Sequence, residues 1–524
     1  MADGSRSSSP PGAAKGVTSA WVRWALPSMA DLIFVAVFTV LLFSSLSIKL
    51  LNDAGIGWHI RTGQQILTTH SIPRVDPFSS QIQKPWIAWE WMYDVVVGSL
   101  DRSAGLNGVV WFTSVVIAGT FAVVFRMMLR RGAGLFVAIV LTLLAIAASM
   151  IHFLARPHVL SWLFAAVWFW ILDSMESRAT GCDRRVWILP ALMLIWVNLH
   201  GGFLLGFVLL AIYWLGSVVS GLRLKQTRIE DALQKIAAGR RVRVLTLAGL
   251  ASAIASLVNP YGWALHRHIY EYLTNRFFMD HIDEFQSPNF HGVAQRSFLV
   301  ILLIAVAALA GSGRKLRLSH VLLMLFAIYA GMYASRDIPV SSIFLVLIVG
   351  PLIPSVHWGG FSQRIAVLES GLRGHIWPVL VAGISLGIAF NGGHIGSEAL
   401  MNAHFDPQRM PVAAVNFVQE SGVRVPVLSP DYWGGYLLYR LYPHNHVVID
   451  DRHDFYGEGL LRSYLTMIHL EPGWEDFLKW RSGCLVLPRK AALSTILSGT
   501  PGWKTVYSDD VAVVFLSSKV NEER

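Results

Sequence analysis

Between residues 52 and 101 the chain reads NDAGIGWHIRTGQQILTTHSIPRVDPFSSQIQKPWIAWEWMYDVVVGSLD, which gathers Asp53, His59, Arg61, Asp76, Glu90 and Asp94 among Trp58, Trp86, Trp89 and Trp91. A carboxylate beside an imidazole and a second carboxylate can take a proton from a hydroxyl as general base, or help to hold a divalent metal such as Mg²⁺ or Mn²⁺. Asp53, His59 and Glu90 form the candidate catalytic set. Asp76 lies in IPRVDPFS, whose Pro and Asp also suit a turn, and stands as a candidate substrate contact.

Other polar residues recur beside turn-formers. Arg156 and His158 in ARPHVL, and Arg336 and Asp337 in SRDIP, put guanidiniums next to helix-starting prolines. Paired donors there suit a phosphate, although a long side chain can equally snorkel to a membrane interface. Asn198 and His200 in WVNLHGG serve either binding or a helix turn. Asp451 and Arg452 in IDDRHDFYG follow an apolar run that reads as a strand, and open α/β sheets bind ligands beyond the carboxyl ends of strands. His281, Asp283 and Glu284 form a weaker metal-like set on a loop. No GxxxxGK[ST] or GxGxxG follows a strand, so direct nucleotide binding is not indicated.

These residues need elements to hold them, and the composition says which. With 54% hydrophobic and 15% charged residues, and the apolar residues in long blocks, the chain reads as a polytopic α-helical membrane protein. Its formal charge of +10 is spread over short basic clusters between apolar blocks. That is the pattern of orientation by the positive-inside rule, so nucleic acid is not an expected partner. Arg6, Lys15 and Arg23 put the N-terminus in the cytoplasm, and 1–29 reads as a disordered tail without a removable signal peptide. About eleven spans follow, at 30–51, 106–125, 135–154, 160–172, a hairpin within 186–221 turning at NLHGG, 244–258, 297–310, 321–333, 340–353 and 376–390. Residues 86–102 read as an interfacial amphipathic helix. The transmembrane region is 30–391, with a long first external loop at 52–105. Cys182 and Cys484 fall on opposite sides of the membrane, so no disulfide is expected.

On this topology the candidate residues share the outer ends of the spans, while the span interiors hold almost no ionisable groups. An ion-coupled transporter needs such groups near the midplane, so an outward-facing cleft fits better. Beyond 391 the composition becomes that of a soluble domain. PVAAVNFVQESG, GGYLLYRLY and AALSTILSG read as helices and VPVLSP, HVVID, CLVLP and VAVVFLSS as strands, which makes 392–524 an extracytoplasmic α/β domain.

The run DAGIGWHIRTGQQIL, IPRVDPFS, WIAWEW, RPH, WVNLHGG, NPYG, SRDIP, YWGGYL and IDDRHD resembles a bacterial branch of the GT-C superfamily of polytopic membrane glycosyltransferases. The resemblance implies transfer of a sugar from a polyprenyl-phosphate carrier, at the bacterial plasma (inner) membrane, to a glycan, lipid or protein acceptor. It puts Asp53 in the place of the first-loop catalytic acid and Arg156 and Arg336 near the lipid-linked phosphate. YWGGY is similar to the aromatic-Asp-Gly motif of oligosaccharyltransferases, but with Asp431 placed before Tyr432 and Trp433. The rival readings are a transporter of lipid-linked saccharide or polysaccharide, and a non-catalytic assembly partner.

Overall fold

The computed structural model describes residues 24–81, 84–223, 229–354, 369, 371–372, 374–481, 483–518 and 520. Arg6, Lys15 and Arg23, and most of the expected tail, lie outside the described residues.

Helix α1 (Met29–Phe43) starts at a capping box in which Ser28 and Asp31 satisfy each other's backbone N–H groups. It stops at the extended Ser44, and one further turn, Leu46–Lys49, carries the chain to Asp53. The span expected at 30–51 is therefore two pieces. Helix α2 (Ile56–Thr69) follows within the first loop and buries Trp58, His59, Thr62 and Ile66. The expected interfacial helix begins at Trp91 rather than at 86, because Pro85 instead bridges back to Val75 as extended chain. It runs on into the bundle as α3 (Trp91–Arg130), bent at Gly105, where φ 60° and ψ −159° suit only glycine.

The remaining longer helices of the bundle are α4 (Leu135–Ser149), α5 (His158–Glu176), α6 (Leu189–Leu199), α7 (Leu204–Arg223), α8 (Ile229–Ser256), α9 (Trp263–Thr274), α10 (Val293–Gly311), α11 (Leu318–Tyr333), α12 (Ile338–Val349) and α13 (Ile376–Phe390). Among the described residues six helical segments are long and apolar enough to cross a membrane, built on α3, α4, α5, α7, α10 and α12, and α1, α11 and α13 are shorter apolar helices. The expected eleven spans are not reproduced, chiefly at 186–258. There α6 has only 11 residues, and α8 runs unbroken through a stretch whose charges divide it in sequence. Helix α12 is apolar all round and packs against α3, α4, α5, α10 and α11, as expected of a helix at the centre of a bundle.

After α13 come a two-stranded hairpin, β1 (His394–Ile395) with β2 (Glu398–Ala399), and a four-stranded sheet of β3 (Val427–Leu428), β4 (Cys484–Pro488), β5 (Trp503–Ser508) and β6 (Ala512–Ser517) in the order β3-β4-β6-β5. Strands β3 and β4 are parallel and the other pairs antiparallel. Helices α14 (Val412–Glu420), α15 (Asp431–Leu441) and α16 (Glu458–Ile468) accompany the sheet. HVVID is not a strand of this sheet. Val447 makes single bridges to Val427 and to Ser79, so the first loop is laced onto the sheet edge through it. That lacing, with the Ser80 N–H donating to the Val447 carbonyl at 2.8 Å, brings residues 450–452 against the loop. No disulfide joins Cys182 and Cys484.

Candidate active site

Three distant segments meet where α1 gives way to the first loop. Asp53 Oδ1 accepts from the Gly55 N–H at 2.8 Å and from Arg156 Nη2 at 2.6 Å. The same Nη2 donates to Asp451 Oδ2, whose other oxygen accepts from Trp58 Nε1 at 3.1 Å. Arg156 is held there because the Ala155 N–H donates to the Leu50 carbonyl at 2.8 Å, tying the start of α5 to the end of the first apolar segment. The side chains of Asp53, Arg156 and Asp451 keep 27%, 24% and 16% of their surface in the open, so a ligand can reach them. Burial pushes the Asp451 carboxyl up to about 6, against the pull of Arg156.

A second layer lies beneath. His59 Nδ1 shares a hydrogen bond with Asp94 Oδ1 at 2.6 Å, and its Nε2 lies 3.8 Å from Glu90 Oε2. On its other side Glu90 Oε1 is 3.7 Å from His200 Nε2. His200 Nδ1 takes hydrogen bonds from the Gly202 N–H and from Ser161 Oγ, so its Nε2 carries the proton. Burial first, then Arg156, keeps His59 neutral, and burial raises Glu90 to about 8. Glu90 therefore stands protonated at neutral pH between the His59 and His200 imidazoles, close enough for a water or hydroxyl to bridge.

The remaining sequence candidates divide clearly. Arg336 pairs with Glu284 at 3.1 Å and lies over the Phe285 ring, with Asp337 half-buried beside it. Burial favours the neutral form of Glu284, but Arg336 together with His152, Arg156 and His158 outweighs it and leaves the carboxyl at about 2. Glu284 is thus an ion-pair partner rather than a metal ligand, and His281 is spent on the Phe277 carbonyl. His158 binds the His152 carbonyl at 2.9 Å. Asn198 accepts from Trp91 Nε1 at 2.8 Å and donates to the Val258 carbonyl at 3.0 Å, which fixes the start of α3 rather than meeting a ligand.

Three further groups are engaged within the protein itself. Asp76 and Arg452 form a buried pair at 2.7 Å, with side chains 0% and 2% exposed and Asp450 on the same guanidinium. They fasten the first loop to the segment after Val447, because a buried charge must be paired and no room is left for substrate. His59 is 0% exposed and stacked on Trp58, with Nε2 3.8 Å from Glu90. Asp431, noted for its place before YWGGY, is taken by His453 at 2.8 Å and Tyr464 at 3.0 Å. The pairing of His268 with Asp454 at 2.9 Å carries no sequence signal at all, since only the fold brings them together.

A cavity of about 490 Å³ lies between α2, α3 and α15, lined by Arg61 of α2, Asp101 of α3, Phe405, and Tyr436, Tyr439 and Arg440 of α15. As for a divalent ion, the position between Asp53 and Asp451 that it would take is filled by the Arg156 guanidinium, so these residues do not fit one. Asp173, Glu176 and His320 do bring ligand atoms within 4.8 Å of one another, but at the other end of the bundle.

No family model and no curated protein matches the chain in sequence. Its structure is similar to that of the Archaeoglobus fulgidus oligosaccharyltransferase in its apo form, with a TM-score of 0.51 at 11% identity over 94% of this chain and 74% of that one. The same enzyme tethered to an acceptor peptide containing the NVT sequon gives 0.52 at 11% identity over the same shares. ArnT from Cupriavidus metallidurans bound to undecaprenyl phosphate gives 0.45 at 13% identity, over 93% of this chain and 98% of that one. The chain thus shares the fold of the Archaeoglobus fulgidus oligosaccharyltransferase.

Proposed function

We propose that the protein is a membrane glycosyltransferase that moves a sugar from a polyprenyl-phosphate carrier to a hydroxyl acceptor, at the membrane face that bears residues 52–105. What supports the reading above all is the acid–guanidinium–acid cluster of Asp53, Arg156 and Asp451, partly open at the helix ends of a chain with the GT-C fold. In this reading the Asp53 carboxylate takes the proton of the acceptor hydroxyl. The acceptor oxygen bonds to the anomeric carbon from the face opposite the carrier, and the bond from that carbon to the phosphate oxygen breaks. Its electron pair leaves with the polyprenyl phosphate, whose charge Arg156 meets as a charge-assisted partner. Arg156 must let go of one carboxylate to do so, and the Asp451 carboxyl, which burial raises to about 6, is the one released. Arg336 is a second guanidinium for the carrier. Residues 392–524 cover the site, and the cavity between α2, α3 and α15 is where the acceptor approaches.

The test is to incubate the purified full-length protein with a panel of polyprenyl-phosphate sugars and to follow released carrier by mass spectrometry, with and without added Mg²⁺ or Mn²⁺ and with EDTA. Release that persists in EDTA is expected, since Arg156 already supplies the cation between the two acids. Release that requires the ion contradicts that role for Arg156, and no release from any donor contradicts the enzyme reading.

A further inference from the structure

Each of α3, α5 and the α11–α12 pair has one end at the Asp53 face and the other at a second cluster. Glu90 and Arg130 bracket α3, Arg156 precedes and Asp173 ends α5, and Arg317 precedes α11 while Arg336 follows it. The 19 residues of α5 alone put about 28 Å between the two ends. At the far end a cavity of about 510 Å³ is lined by Arg130, Arg131, Arg185, Arg314, Lys315 and Arg317, and among the described residues Asp173 is the one carboxylate on its wall.

That carboxylate is already shared. Arg131 binds it directly, His320 Nε2 approaches it at 2.7 Å and Arg317 at 3.7 Å. Arg185 is paired with Asp183 at 3.0 Å, outside the cavity. Arg314 donates to the Pro351 carbonyl at 2.8 Å. Among the described residues Arg130 and Lys315 have no ion-pair partner. Orientation in a membrane requires cations in the loops at one side, but not that cations from three loops turn toward one cavity. Like charges brought this close repel unless an anion joins them. Phe169, Trp170 and Leu352 line the same cavity and give it an apolar wall.

We infer that this cavity is a second ligand site, separate from the Asp53 cluster, which binds a phosphate-bearing anion supplied either as an anionic lipid headgroup or as a soluble phosphate. Arg130, Arg314 and Lys315 are the cations not engaged by a carboxylate among the described residues, Arg131 is paired with Asp173, and Arg317 lies between Asp173 at 3.7 Å and Glu176 at 3.8 Å. The inference does not depend on the glycosyltransferase reading.

Full-length protein in phosphatidylcholine nanodiscs, with or without phosphatidylglycerol, tests it by native mass spectrometry. A parallel arm offers inorganic pyrophosphate in phosphatidylcholine alone. Preferential retention of phosphatidylglycerol supports a lipid source, and binding of pyrophosphate supports a soluble one. In either case the triple variant Arg130→Gln, Arg314→Gln, Lys315→Gln is expected to bind about tenfold more weakly or worse. A second triple, Arg184→Gln, Arg240→Gln, Arg243→Gln, removes the same charge from exposed positions off the cavity and should bind like wild type. Thermal melts establish that both triples fold. Retention of neither probe above the phosphatidylcholine level overturns the site, and so does equal weakening by the two triples.

Discussion

Glu90 lies 3.8 Å from His59 and 3.7 Å from His200, where burial holds its proton to about pH 8. In the unfolded chain a glutamate titrates near 4.3, so between about pH 4 and pH 8 the folded state binds the extra proton. Stability from that proton is fully present below about pH 4 and drains away as the pH rises through about 8. Glu90→Gln keeps the shape and removes the titration. Its melting temperature should therefore fall less than that of wild type between pH 5 and 9, and parallel falls contradict the assignment. At this scale the sequence is informative about which residues matter but not about their partners. Asp53, Arg156 and Asp451 stand out by the turn-formers around them, whereas their meeting on one guanidinium depends on a fold that brings together residues far apart in the chain. Asp76 and Arg452 look like exposed loop charges until their pairing shows that they are buried.

At the scale of elements, the site depends on how closely α2 can lie against its neighbours. A Cβ on Gly57 would stand 2.2 Å from the Gly435 carbonyl oxygen, and one on Gly435 would stand 2.3 Å from the Ala54 oxygen, so α2 and α15 touch backbone to backbone just after Asp53. Gly435→Ala must push the two apart, at a cost of about 1–3 kcal/mol. A lower melting temperature together with impaired transfer is expected, and unchanged values of both would show that the approach is not needed. Helices and strands with strong apolar patterns, such as α12 and β6, are legible in the sequence. HVVID has the pattern of a strand but makes only single bridges, because the first loop, not another strand, takes its edge. The charges within α8 read as a boundary, yet a helix tolerates them along an exposed face.

Across the whole molecule, the buried Asp76–Arg452–Asp450 group is the joint between the first loop and the segment that carries Asp451. Arg452 also lies over the Trp58, Phe78, Trp86 and Phe455 rings. Arg452→Met leaves two buried carboxylates without a cation, a loss of about 3–5 kcal/mol. That variant should lose folded protein in thermal melts, and a melt like wild type contradicts the joint. Asp53→Asn is expected to behave differently. An asparagine keeps an oxygen for the Gly55 N–H while losing the charge and the basicity.

The most direct test of the central claim compares carrier release from a polyprenyl-phosphate sugar by wild type and by Asp53→Asn at matched melting temperature. A fall in rate of about 10²–10⁴-fold in the folded variant is expected of a lost general base. Equal rates of release in the two proteins would contradict it.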